Sequence, residues 1–108
     1  MGRTGGFVLL AGFLGAFALA EDEPDAKEMI GSAVAETREQ GAAALGAQGD
    51  TSAAKLLIGL LDDPDWGVRM AAIRALGPIR FEPGREALYD AMREGEIRAV
   101  RVLAAQML

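Results

Sequence analysis

The sequence predicts an all-α fold in which about three pairs of antiparallel helices stack on one another. Leucines of the segment 53–61 recur at the spacing of an amphipathic helix, and a second apolar segment follows after an acidic, proline-bearing turn. Related segments lie on both sides of these two, displaced by 31 or 32 residues. Since one pair of short helices cannot bury both of its apolar faces, this repetition predicts stacked pairs.

The first 20 residues have the features of a secretory signal peptide. Arg3 supplies positive charge, residues 7–20 form an uncharged apolar run, and Ala18 and Ala20 are the small residues expected before a cleavage site. Cleavage there leaves Glu21 as the first residue. The apolar run is shorter than the roughly 20 residues that span a bilayer, so a retained membrane anchor is the weaker alternative.

The rest of the chain is predicted to form one small domain behind an acidic lead. The predicted organisation is a signal peptide at 1–20, a flexible lead at 21–27 and a repeat domain at 28–108, with pairs at about 28–46, 52–76 and 83–108. The individual helices are expected near 25–34, 36–46, 52–61, 64–76, 83–93 and 96–108. The first pair is degenerate, because Gly41 stands where the middle pair has Ala72. A terminal repeat is allowed to depart from the pattern in this way.

The middle pair carries the clearest helix boundaries. Asp63 is predicted to be the N-cap of its second helix and Pro64 the first helical residue, where a missing N–H costs nothing. Asp65 then adds negative charge at the positive end of the helix dipole. Gly77 is predicted to close this helix as a C′ glycine, and Pro78 follows it.

The runs DDPDWGVR and MAAIRALG, with the weaker echo GEIRAVRVLAAQML, resemble HEAT repeats of the type first described in phycobilisome lyases. The resemblance covers roughly residues 36–108. It implies a right-handed α-solenoid in which the second helix of each pair lines the concave side. It implies no reaction, because such repeats serve many unrelated proteins as binding scaffolds.

The resemblance also implies a ladder of arginines and aspartates. Arg38, Arg69 and Arg101 occupy equivalent positions in the three pairs, where HEAT-like repeats typically pair an arginine with aspartates of adjacent turns. Asp63 and Asp65 are the expected acceptors. The ladder is therefore interpreted as structural.

Composition excludes most catalytic chemistry. The chain contains no histidine and no cysteine, which removes imidazole acid–base catalysis, thiol nucleophiles and His- or Cys-based zinc sites. The acidic cluster around Pro64 is interpreted as helix capping, because the glycine and glutamate of a calcium loop do not follow it. The net charge of −5 becomes more negative if Arg3 is removed, which disfavours nucleic-acid binding. We expect no enzymatic activity, no metal and no cofactor.

The candidate partner-binding residues are one tryptophan and four arginines of the second helices: Trp66, Arg69, Arg74, Arg98 and Arg101. An exposed tryptophan is a natural anchor for a partner. In repeats that resemble this one, however, an aromatic residue there often packs against the neighbouring turn, and this packing is the favoured interpretation. The apolar face of the last helix has no following pair to cover it. That helix therefore either packs on its own pair alone or meets a partner or a second copy of the chain.

The predicted function is an exported, periplasmic or extracellular protein-binding or scaffolding module without catalysis of its own. It is expected to bind a protein partner through the concave face or the last helix. The alternatives are a tetrapyrrole-lyase-like or enzyme-associated subunit, and a membrane-anchored chain or fragment of a longer HEAT array. Contact with a membrane is expected only if the signal peptide is retained.

Overall fold

The computed structural model describes residues 25–108, and these residues form six α-helices and no strand. The helices are α1 (Ala26–Met29), α2 (Ala35–Gln48), α3 (Thr51–Leu60), α4 (Trp66–Leu76), α5 (Glu82–Glu94) and α6 (Arg98–Met107). The all-α prediction is confirmed for this part of the chain. The predicted signal peptide, with Ala18, Ala20 and Glu21, lies outside the described residues. None of the six helices has the length and hydrophobicity needed to cross a membrane.

The helices form three consecutive pairs, α1 with α2, α3 with α4, and α5 with α6. The second helices of the pairs also contact one another in succession, α2 with α4 and α4 with α6. The contact between α2 and α4 is the most extensive, whereas the first helices α3 and α5 touch much less. The second helices therefore form the layer that joins the pairs.

The core repeats with the same period as the sequence. Leu45 and Leu76 are equivalent residues of α2 and α4, and both are buried. The same holds for Leu57 and Leu88 in the first helices. The remaining fully buried positions are small or β-branched: Ala42, Ala53, Ala54, Val68, Ala72, Ile73 and Ala104. Small side chains at facing positions let the helix axes approach closely, so the sequence repeat is a repeat of the packing.

The first helix is much shorter than the predicted helix at 25–34. α1 begins at a capping box in which the Asp25 carboxylate accepts from the Glu28 N–H at 2.9 Å, and the Glu28 carboxylate accepts from the Asp25 N–H at 3.1 Å. It ends at Met29, before the turn that contains Gly31. The first helix thus begins at Ala26, within the predicted acidic lead, because Asp25 of that lead supplies the cap.

Close packing explains why glycine stands at position 41, where the middle pair has Ala72. A Cβ at this buried position would lie 2.8 Å from Ile30 Cγ2 and 3.0 Å from the Ile30 backbone nitrogen. The short α1 therefore sits closer to α2 than an alanine would allow. The degeneracy of the first pair is a consequence of this close approach.

The predicted N-cap and the predicted first residue of the second helix in the middle pair are both two positions too early. α4 begins at Trp66, and its N-cap is Asp65, whose carboxylate accepts from the Val68 N–H at 3.0 Å. Pro64 lies in the turn before the helix. Asp63 accepts from the Asp65 N–H at 2.9 Å instead of capping the helix. Asp65 can cap because its extended backbone aims its carboxylate at the first free N–H groups.

Gly77 is not a left-handed C′ glycine, contrary to the prediction. Its backbone is right-handed helical, with φ −52° and ψ −50°, and its N–H donates to the Ile73 carbonyl at 3.1 Å. Among residues 25–108 the left-handed conformation occurs at one glycine, Gly49, which closes α2 with φ 69°. Gly77 instead provides space for α6, since a Cβ there would lie 2.7 Å from Met107 Sδ and 3.1 Å from Met107 Cβ.

Gly46 makes the equivalent contact one pair earlier. A Cβ on Gly46 would lie 2.8 Å from Ala75 Cβ and 3.1 Å from Ala75 Cα. The glycine of each Ala-Leu-Gly run is therefore a point of close contact between successive second helices, α2 with α4 and α4 with α6. Its role is packing between pairs.

Candidate functional site

An ion pair between Arg38 of α2 and Asp63 joins the first two helix pairs. The Arg38 Nε and Nη2 donate to the Asp63 carboxylate at 2.8 and 3.0 Å, and its Nη1 donates to the Ser32 carbonyl at 2.9 Å. The side chains are only 15% and 7% exposed, respectively. A bidentate pair with so little solvent access fixes the turn before α4 against α2.

The environment of Asp63 favours its ionised form. Burial alone would raise the pKa of this carboxyl group, because it removes water from the charge. Hydrogen bonds from Arg38 and from the Asp65 N–H, together with the charges of Arg38 and Arg69, outweigh burial and hold the pKa of Asp63 below its ordinary value. The hydrogen bond to Asp63 likewise raises the pKa of Arg38. Asp63 is therefore a structural anion at neutral pH.

The predicted ladder of arginines and aspartates is made only at Arg38. Arg101 donates from Nη1 to the Gly95 carbonyl at 2.6 Å, which reproduces the bond from Arg38 to the Ser32 carbonyl. In both cases the carbonyl lies six residues before the arginine. Arg69 forms no ion pair with Asp63 or Asp65, so the prediction is wrong at this position.

Arg69 differs from the equivalent residues Arg38 and Arg101, because no hydrogen bond from its side chain is present within residues 25–108. Its Nε is buried and has no hydrogen-bond partner among the described residues. The residue of the next pair that corresponds to Asp63 is Glu94, 31 positions later. α3 ends at Leu60, before Asp63, whereas α5 continues through Glu94. The Glu94 carboxylate is therefore carried on a helix, remains exposed and forms no ion pair with Arg69.

Arg69 lines a groove of about 460 Å³ where α3 and α5 lie side by side, which we call the acidic groove. The apolar residues of its lining are Ile58, Leu61, Ala87, Ala91 and Val100. The carboxylates of its lining are Asp62, Asp90, Glu94 and Glu96, all of them exposed. Four carboxylates outnumber the single guanidinium, so the groove has a negative net charge. Among residues 25–108, no three acidic side chains are arranged to hold a metal ion.

Trp66 lines a different cleft, which shares no residue with the acidic groove. Its side chain is 55% exposed, so the favoured interpretation that it packs against the neighbouring turn is wrong. It lines a shallow cleft with Met70 and Arg74, and Glu39 of α2 lies on the other side of that cleft. Trp66 is exposed because it occupies the first turn of α4, on the side that faces away from Val68 and the core.

Equivalent positions of the last helix are exposed as well. Arg98 and Val102 of α6 correspond to Trp66 and Met70 of α4 at a displacement of 32, and both are exposed. Val102 is 47% exposed. We use the name second-helix face for these residues of the second helices, which are Trp66, Met70, Arg74, Arg98 and Val102.

The five candidate partner-binding residues do not form a single surface. Trp66, Arg74 and Arg98 are exposed on the second-helix face, whereas Arg69 and Arg101 are half-buried and point toward the turns. Sequence reasoning missed Met70 and Val102. Their position one helical turn after Trp66 and Arg98 was the signal that could have identified them.

The last helix is better covered than its sequence suggested. Val100, Leu103 and Ala104 are buried, and Met107 packs against Gly77. The apolar face of α6 thus packs on α5 and on α4 of the preceding pair. The large apolar residues that stay exposed in this region are Val102 of α6 and Leu108, which directly follows the helix.

Comparison with known families agrees with this arrangement of helix pairs. The family model for HEAT repeats matches residues 18–108, a range that includes all six helices. A comparison with curated protein sequences gives no significant match.

Proposed function

The chain belongs to the HEAT-repeat family, and from that premise we propose that it is a non-catalytic module that binds a protein partner through the second-helix face. In the right-handed α-solenoid that we propose for the stack, this face is the concave side. Stacked helical repeats create extended binding surfaces of this kind. The observation that carries the proposal is the exposure of Trp66, a side chain that is costly to leave in water.

The chemistry of the second-helix face favours a partner segment that is both apolar and acidic. Trp66 and Met70 offer apolar area, and Val102 extends it onto α6. Arg74 and Arg98 are exposed beside them, and neither forms an ion pair within residues 25–108. A buried aromatic anchor surrounded by polar contacts is the usual pattern of an energetic hot spot, and arginine is enriched in such sites.

Photo-crosslinking from position 66 in the native host tests this proposal. Benzoylphenylalanine in place of Trp66 is expected to capture a defined partner, whereas the same group in place of Lys55, exposed on α3, is the matched control. Trp66→Ala is expected to lower the recovery of that partner by about tenfold or more, as hot-spot truncations do. Equal crosslinking from both positions would argue against a specific role of the second-helix face.

We also propose that the chain is exported after removal of residues 1–20. The charge of Arg3, the apolar run at 7–20 and the small residues Ala18 and Ala20 support this. N-terminal sequencing of the exported protein is expected to begin at Glu21. A sequence that begins at Met1 would instead support the membrane-anchored alternative.

Tetrapyrrole handling, which the resemblance to phycobilisome-lyase repeats suggests, has weaker support. The acidic groove surrounds Arg69 with carboxylates, and these would repel the propionate groups of a tetrapyrrole. Titration of the protein with a bilin is expected to leave the absorption spectrum of the bilin unchanged. A saturable spectral shift would restore this alternative.

A further inference from the structure

The second-helix face includes a stripe of α4, formed by Trp66, Met70 and Arg74, that is complementary to itself. We propose that this stripe pairs with the same stripe of a second copy of the chain, with the two α4 helices antiparallel about a twofold axis at Met70. Trp66 of each copy then receives Arg74 of the other. The inference goes beyond the proposed function, because it requires no different partner protein. A partner that binds the same stripe competes with the second copy.

The spacing of the stripe is symmetric about Met70. Its three residues follow one another at intervals of four positions and line one cleft, so they share one side of α4. Trp66 and Arg74 are exposed, and Met70 is half-buried between them. In an antiparallel pair centred on Met70, the first residue of one stripe lies opposite the third residue of the other. A surface that pairs with its own copy about a twofold axis must have this self-complementarity.

The two ends of the stripe carry opposite charges. At the first turn of α4, the Glu39 carboxylate of α2 lies 2.5 Å from the position of a Cβ on Gly67, and the Asp65 carboxylate lies 3.0 Å from it. At the other end, about 12 Å along the helix axis from Trp66, Arg74 supplies a guanidinium. Neither Glu39 nor Arg74 forms an ion pair within residues 25–108. Both charges are therefore available to pair between copies.

The end of the stripe at Trp66 suits a cationic side chain. The face of an indole attracts a guanidinium, and the Glu39 carboxylate in the same cleft is a charged acceptor for its N–H groups. In the antiparallel arrangement Arg74 of the second copy reaches this place, and by symmetry the contact forms twice. A parallel pair would set Arg74 against Arg74, so charge selects the antiparallel direction.

The dimer is expected to be weak and reversible. Its contact is centred on one helix of 11 residues per copy, which is expected to bury less than the roughly 800 Å² per partner of a standard interface. The protein in the form recovered from its host is expected to change from monomer to dimer in sedimentation velocity as its concentration rises. The emission of Trp66 is expected to shift to shorter wavelength over the same range, because the second copy covers the indole.

Two charge-reversal variants test the pairing itself. Glu39→Arg and Arg74→Glu each set like charges against one another in a homodimer, so each is expected to raise the dissociation constant about tenfold or more. In a heterodimer of the two variants both contacts join opposite charges again. An equimolar mixture is therefore expected to dimerise about tenfold more tightly than either variant alone.

Matched controls separate this effect from a general effect of charge or of folding. Glu86→Arg and Arg85→Glu change exposed residues of α5, outside the stripe, and are expected to leave the dissociation constant unchanged. Circular dichroism checks that each variant keeps its helices. Where Glu39→Arg loses helix, Glu39→Gln replaces it and is expected to raise the dissociation constant about threefold.

The results that overturn the inference are distinct from those that contradict the proposed function. A monomer at every concentration would overturn the dimer, and so would a mixture that dimerises no better than the single variants. Dimerisation that Trp66→Ala leaves unchanged would place the contact elsewhere and would also overturn it. None of these results affects the capture of a different protein from position 66. Crosslinking in the host that captures only second copies would support the dimer and contradict the proposed function.

Discussion

The guanidinium of Arg38 donates two hydrogen bonds to the carboxylate of Asp63, which lies 25 residues later in the turn before α4. The same carboxylate accepts from the Asp65 N–H, and Asp65 in turn caps α4. One buried anion thus connects α2, the α3–α4 turn and the first turn of α4. The position of Trp66, which directly follows Asp65, depends on this chain of hydrogen bonds.

Replacement of Asp63 by asparagine is expected to destabilise the fold. It leaves the Arg38 guanidinium without its counterion in a site with little solvent access, and breaking such a pair is costly. The midpoint of thermal unfolding, followed by circular dichroism, is expected to fall by about 5 °C or more. The neighbouring exposed residue supplies the control, because Asp62→Asn is expected to leave the midpoint nearly unchanged.

The contribution of Asp63 to stability is expected to disappear in acid. Because the pKa of Asp63 is lower in the folded than in the unfolded chain, its contribution is complete above the unfolded value. It is lost as the pH falls below an ordinary aspartate pKa of about 3.9 and through the lower pKa of the folded state. The thermal midpoints of the wild type and Asp63→Asn are therefore expected to differ by a constant amount from pH 7 to about pH 5 and to converge as the pH falls to about 3.9 and below. A difference that stays constant below an ordinary aspartate pKa would contradict this assignment.

Two glycine-to-alanine substitutions are expected to have opposite effects. Gly46→Ala places a methyl group 2.8 Å from the Ala75 Cβ and 3.1 Å from its Cα, so it is expected to cost about 1–3 kcal/mol of unfolding free energy. Gly59 is an exposed residue of α3, and no atom lies within 4 Å of a Cβ added there. Gly59→Ala is therefore expected to stabilise by about 0.5–1 kcal/mol through helix propensity. Urea denaturation of both variants measures the contrast.

Removing the guanidinium is expected to destabilise the fold less at Arg69 than at Arg38. Arg38→Met leaves the buried Asp63 carboxylate without its main partner. Arg69→Met removes a buried donor that has no acceptor and leaves an apolar side chain against the groove. Urea midpoints are expected to fall clearly for Arg38→Met and little or not at all for Arg69→Met. A larger loss at Arg69 would mean that this arginine is paired in solution.

The fluorescence of Trp66 is expected to be that of a solvent-exposed indole. It is the only tryptophan of the chain, so the emission reports this site alone. With 55% of its side chain exposed, it is expected to be quenched readily by acrylamide and to shift to shorter wavelength when a partner covers the second-helix face. Efficient quenching that persists in the complex would mean that Trp66 is outside the interface.

Periodicity predicted the helix pairs well, because buried positions such as Leu45, Leu76, Leu57 and Leu88 recur with the repeat. Local signals at helix ends were less reliable. Asp63 and Asp65 are both suitable N-caps, and the choice between them is made by Arg38, which lies far away in the sequence and binds Asp63. The sequence Gly77-Pro78 is likewise typical of a helix end. The function of Gly77 in the fold is nevertheless to leave room for Met107 of α6.

The candidate site was predicted in part. The spacing of Arg38, Arg69 and Arg101 identified equivalent arginines, yet it could not reveal that α5 extends through Glu94 and so leaves Arg69 unpaired. The acidic groove combines residues of four helices and two turns, so no local sequence motif could predict it. Exposure of Trp66 likewise depends on tertiary packing.

The two close contacts of glycine, Gly46 with Ala75 and Gly77 with Met107, each lie at the end of the earlier helix. Each acts as a separate joint between neighbouring pairs. We expect a methyl group added at one joint to move two second helices apart at that end and to leave the other joint unchanged. The angle between neighbouring pairs can then be changed at one joint at a time, by residues outside the second-helix face.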